Sequence, residues 1–62
     1  MGVFQIYQDK TGEYRWRMLA LNGDVIATGE PYKTKEMCLY GIEAVRRLAE
    51  KSTLDDQTFN GR

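Results

Sequence analysis

The sequence predicts an α+β fold in the order β-β-β-α-β. A three-stranded antiparallel meander carries one helix on one face, and a short strand closes the chain. Three observations lead there. Two alternating runs, Val3–Gln8 and Glu13–Ala20, are rich in strand formers and flank the turn-forming stretch Asp9–Gly12. Asn22-Gly23 lies between the second run and "DVIATG", which is a strong short hairpin signal. From Lys35 to about Lys51 the apolar residues recur at helical spacing.

The first strand, "VFQIYQ", leads into a three-residue loop, Lys10-Thr11-Gly12, with Gly12 supplying the left-handed conformation that such loops need. That register sets Tyr7 against Arg15, Ile6 against Trp16 and Phe4 against Met18. A four-residue loop would set Ile6 against Arg15 and mix wet with dry, so the apolar pattern selects the first register. Reading Asn22-Gly23 as a two-residue loop then sets Ala20 against Val25, Leu19 against Ile26, Met18 against Ala27, Arg17 against Thr28, Trp16 against Gly29 and Arg15 against Glu30. The dry face becomes Phe4, Ile6, Tyr14, Trp16, Met18, Ala20, Val25 and Ala27, with Gly29 leaving room for the indole of Trp16. The open face carries Gln5, Tyr7, Arg15, Arg17, Thr28 and Glu30, with Leu19 and Ile26 near the turn.

Pro31 suits a strand end, and Thr34 is placed to cap the helix through its hydroxyl. Glu36 in the first turn and Arg46, Arg47 and Lys51 near the end complement the helix dipole. One stripe, Cys38, Gly41, Ile42, Val45 and Ala49, is expected against the sheet. Gly41 costs about 1 kcal/mol relative to alanine in a helix interior, which close helix-to-sheet approach would offset. Beside it runs a second stripe, Met37, Tyr40, Ala44 and Leu48. It reads either as the edge of the core, with the Tyr40 hydroxyl in water, or as the contact for a second copy's helix. Residues 1–52 thus form one β-β-β-α domain, 53–58 a short fourth strand, and 59–62 a frayed end.

Length and composition narrow the functional classes. A chain of 62 residues buries only about 60% of its unfolded surface and usually needs a staple. With one cysteine and no histidine, an internal disulfide and a structural zinc site are both excluded, which leaves oligomerisation. Nine basic and nine acidic side chains cancel, against the basic excess expected of a sequence-independent nucleic-acid binder. Neither a membrane span nor a signal-peptide pattern is evident, and a lone thiol suits the reducing cytoplasm.

Catalysis is not expected, and no catalytic, cofactor-binding or metal-binding residues are assigned. There is no histidine to serve as base, Cys38 lies on the buried stripe, and Asp55 and Asp56 point to opposite sides of a strand. The segment "EYRWRMLA" mixes aromatics and cations, but its register sends Tyr14 and Trp16 inward and Arg15 and Arg17 outward. Tyr7, Arg15 and Arg17 are the open-face ligand candidates, and a weak nucleic-acid patch is their sharpest use.

Those residues resemble the YegP-like family of small bacterial domains of unknown function. The family pattern runs F-x-I-Y-x-D, G-x-Y-R-F-R, N-G-x-V-I-A-x-S-E-x-Y and G-I-E-S-V-K-K. Phe4, Ile6, Tyr7, Asp9, Gly12, Tyr14, Arg15, Arg17, Asn22, Gly23, Val25, Ile26, Ala27, Glu30, Tyr32, Gly41, Ile42, Glu43 and Val45 match it. Trp16 replaces a phenylalanine, and Leu39, Tyr40 and Leu48 are more apolar than the family's usual residues. The resemblance implies single-unit members that pair as homodimers and exchange their last strands. Met37, Tyr40, Ala44, Leu48 and Leu54 are the expected dimer contacts. The function expected is a small cytoplasmic, non-catalytic binding module.

Overall fold

The computed structural model describes residues 2–58. Strands β1 (Val3–Gln8), β2 (Tyr14–Leu19) and β3 (Val25–Thr28) form an antiparallel sheet in the order β1-β2-β3, followed by helix α1 (Lys35–Ala49). Residues 53–58 carry no regular secondary structure in the single chain, and the frayed end expected over 59–62 lies outside the described residues.

The first hairpin follows the predicted register throughout: Phe4 faces Met18, Ile6 faces Trp16 and Tyr7 faces Arg15. Its turn closes through Gly12 N–H to the Asp9 carbonyl (3.0 Å), with Gly12 at φ +87. The Asp9 carboxylate braces the loop, accepting from the Thr11 N–H (2.9 Å), the Thr11 hydroxyl (2.6 Å) and the Glu13 N–H (3.0 Å).

The second hairpin differs from the prediction. Its loop is Leu21-Asn22-Gly23, because Ala20 N–H bonds the Asp24 carbonyl and Gly23 N–H bonds the Ala20 carbonyl. A two-residue type I′ turn needs positive φ at both central residues, yet only Gly23 adopts it (φ +94). Asn22 instead accepts the Asp24 N–H with its side chain, and this local bond favours the longer loop. The slip is absorbed at once by a β-bulge, in which Leu19 faces Val25 and Ile26 is the extra residue. Beyond it, Met18–Ala27 and Arg17–Thr28 pair as expected, and Gly29 N–H reaches the Trp16 carbonyl. The expected pairs Ala20–Val25 and Leu19–Ile26 are therefore corrected. Val25 leaves the dry face and is 54% exposed.

Trp16, Cys38 and Ile42 are the buried centre, ringed by Phe4, Ile6, Tyr14, Met18, Ala27 and Tyr32. Phe4 meets the indole edge-on, with centroids 5.5 Å apart. A Cβ on Gly29 would overlap the indole, so the empty side of this glycine is what seats Trp16. Thr34 caps the helix as predicted, its hydroxyl accepting the Met37 N–H at 3.1 Å. The explanation for Gly41 is more specific than helix-to-sheet approach: the Tyr32 hydroxyl sits where a side chain would be.

Val45 and Ala49, expected against the sheet, are exposed. Among the strands α1 packs chiefly on β2, and the helix residues that are buried, Cys38 and Ile42, lie no further along it than its middle. The total exposed surface is 5430 Å², against about 4100 Å² for a compact monomer of this size.

Candidate functional site

Two surfaces hold the predicted residues. On the open sheet face, strand alternation brings Tyr7, Arg15 and Arg17 together. Their partners differ from the prediction. Arg15 lies 3.7 Å from Asp9, and Glu30 forms no ion pair among the described residues. The cause lies after β3. Gly29 bonds Trp16 and Tyr32 bonds Tyr14, so Glu30 and Pro31 lie together opposite Arg15 and neither faces it in register. The Asp9 carboxyl is held below the ordinary aspartate range, first by the Thr11 hydroxyl. The N–H groups of Glu13 and Thr11 and the Arg15 guanidinium add to this, against a partial desolvation.

Arg17 lies with its guanidinium carbon 4.5 Å from the Tyr7 ring centroid and donates from Nε to Gln5 Oε1 at 2.8 Å. This stack and bond fix the plane of the guanidinium. No carboxylate pairs with it among the described residues. One row further along the sheet, Val3, Leu19 and Val25 face one another across the three strands. The predicted register placed Ile26 opposite Leu19 in this row, and the bulge puts Val25 there instead. Leu21 and Ile26 extend the apolar surface at the hairpin tip.

The second surface is the helix. Met37, Tyr40 and Leu48 are exposed, Tyr40 at 76%, and Ala44 is half-buried. Met37 and Tyr40 join Tyr32, Glu36 and Gly41 around an open cleft of about 360 Å³. Leu54, placed with this group by the sequence, is 93% exposed on the tail and is not brought to the stripe. A second open cleft of about 500 Å³ lies beside β1 and is lined by Phe4, Ile6, Tyr7, Gln8, Tyr14 and Lys35.

The described residues contain no cluster of three His, Cys, Asp or Glu side chains able to hold a metal. No helix among them is long and apolar enough to cross a membrane. Cys38 is sealed in the core, and burial pushes its thiol pKa up, away from the reactive thiolate.

Fold and surfaces together define a small α+β domain of one meander and one covering helix, with apolar residues left on both faces. The pattern of DUF1508, described as a domain of unknown function, matches residues 9–56, and the chain belongs to that family. Similar proteins include a UPF0339 protein of Treponema denticola, 54% identical over 48 residues (77% of this chain and 83% of that one). A UPF0339 protein of Agrobacterium fabrum is 48% identical and covers 94% of each chain. A relative from Stutzerimonas stutzeri is 50% identical over 60 residues, and this chain spans 54% of its length. The fold matches an NMR structure from Haloferax volcanii with a TM-score of 0.80 at 34% identity, covering 89% and 93% of the two chains. It also matches an Agrobacterium tumefaciens structure with a TM-score of 0.75 at 41% identity, covering 90% of each.

Proposed function

We propose that the protein is a cytoplasmic, non-catalytic binding module that works as a homodimer. The supporting observation is the stripe Met37, Tyr40, Ala44 and Leu48, which lies largely uncovered beside a core of three buried residues among those described. A core this small rarely stands alone, and an apolar helix face next to it is where a second copy adds buried area. In this reading residues 53–58, Leu54 among them, cross to the partner as an exchanged strand. Their exposure in the single chain and the outer edge of β1, unpaired among the described residues, both fit that role.

Sedimentation equilibrium at micromolar concentration is the test. The expected mass is that of a dimer, which Leu48→Glu shifts toward monomer. Deleting residues 53–62 is expected to lower the melting temperature of the dimer. A stable folded monomer would defeat the proposal. The alternative, weak nucleic-acid binding through Tyr7, Arg15 and Arg17, has less support. Arg17 covers a face of Tyr7, Asp9 engages Arg15, and the net charge is zero.

A further inference from the structure

We infer that the open sheet face is a docking site for an extended segment of a partner protein that carries an aliphatic side chain and a carboxylate two residues apart. This names a ligand class for the binding-module reading and rests on that reading, but not on the dimer.

Two observations set the ligand chemistry. Arg17 is oriented by the Tyr7 ring and by its Nε bond to Gln5, which leaves the two terminal nitrogens of its fork without a partner among the described residues. A planar fork held in one orientation suits bidentate pairing with a carboxylate. Beside it the row Val3–Leu19–Val25 is apolar and accessible, with Val3 and Val25 more than half exposed. Arg17 and Leu19 are two residues apart on β2, and so about 6.7 Å apart along the strand. An extended peptide presents its alternate side chains on one side at that same spacing. Such a segment lying along β2 seats its carboxylate on Arg17 while its aliphatic side chain covers Leu19.

The same features disfavour a nucleic acid. A phosphate backbone would leave the aliphatic row uncovered, and Arg17 occupies a face that a base would stack on. The bulge sets the composition of the row, placing Val25 rather than Ile26 opposite Leu19.

The experiment is an NMR titration of the ¹⁵N-labelled protein with two threonine-rich hexapeptides, too short to form stable helices. One carries valine and aspartate two positions apart, and the other has asparagine for the aspartate. The expected result is perturbation of Val3, Arg17, Leu19 and Val25 by the aspartate peptide, with the asparagine peptide about tenfold weaker. Arg17→Gln is expected to make the two peptides bind alike, with Arg17→Lys intermediate. Equal binding of the two peptides to the wild type would overturn the inference. So would shifts confined to α1, or stronger perturbation of the same face by a mixed oligonucleotide at the same salt. A monomer that binds the aspartate peptide defeats the dimer alone, and a dimer that ignores it defeats only the docking site.

Discussion

Gly41→Ala separates helix propensity from packing. In an exposed helix interior the substitution would stabilise by about 1 kcal/mol. Here the new Cβ would overlap the Tyr32 hydroxyl and crowd the ring carbon behind it at 2.9 Å. The ring cannot simply retreat, because two backbone bonds, Tyr14 N–H to the Tyr32 carbonyl (2.8 Å) and the reverse (2.7 Å), hold its base. Overpacking of this kind costs about 1–3 kcal/mol. Set against the propensity gain, this leaves a net loss of up to about 2 kcal/mol and a fall in melting temperature of up to about 15 °C. Tyr32→Phe alone is expected to stay within about 0.5 kcal/mol, since its hydroxyl makes no hydrogen bond among the described residues. In the double variant the missing oxygen lets the ring shift, recovering about 1 kcal/mol as a coupling energy. Thermal unfolding by circular dichroism, at one fixed protein concentration, measures all four proteins. A rise in melting temperature for Gly41→Ala, or strict additivity in the double variant, would refute the reasoning.

Thr34→Ala removes the acceptor for the Met37 N–H and is expected to cost about 1 kcal/mol, read as a lower melting temperature with the first helical turn frayed in amide exchange. Asp9 has its pKa lowered in the folded state, so its contribution is present above the unfolded aspartate value of about 3.9 and is lost as pH falls through the folded value. Stability of the wild type should therefore drop more steeply on acidification than that of Asp9→Asn, and parallel acid unfolding curves for the two would contradict this. Cys38 is fully buried, so Ellman's reagent should react with it only at the rate of opening, and added denaturant should accelerate the reaction.

What the sequence made legible was governed by alternation and by volume. The first register followed because only one loop length keeps Ile6 and Trp16 on the same side, and the gap at Gly29 followed from the size of the indole. Asn22-Gly23 misled at the second turn because the dipeptide serves two loop lengths. The choice fell to the Asn22 side chain bonding the Asp24 N–H. That single residue of slip moved Val25 opposite Leu19, where Ile26 was expected. The partner assigned to Arg15 was wrong for a related reason. Glu30 sits in an irregular stretch before Pro31, whereas Asp9, already recruited to brace the turn, lies within reach. The helix cap at Thr34 was readable because it is local, but the exposure of Val45 and Ala49 depends on where the helix meets the sheet, which spacing along the helix does not set.

The position of β1 has a consequence for how the protein behaves in a crowded cell. β1 is an outer strand, and its sequence VFQIYQ contains no charge, no proline and no glycine. These are the ingredients of a fibril-forming hexapeptide, displayed on an edge that no strand covers among the described residues. The opposite edge is better defended, since β3 is only four residues long, bulged, and followed closely by Gly29 and Pro31. Aggregation of a copy left without a cover would therefore begin on one identifiable side. A single lysine at Gln8 would act there as a gatekeeper, slowing the growth of thioflavin-positive material while leaving the core residues untouched.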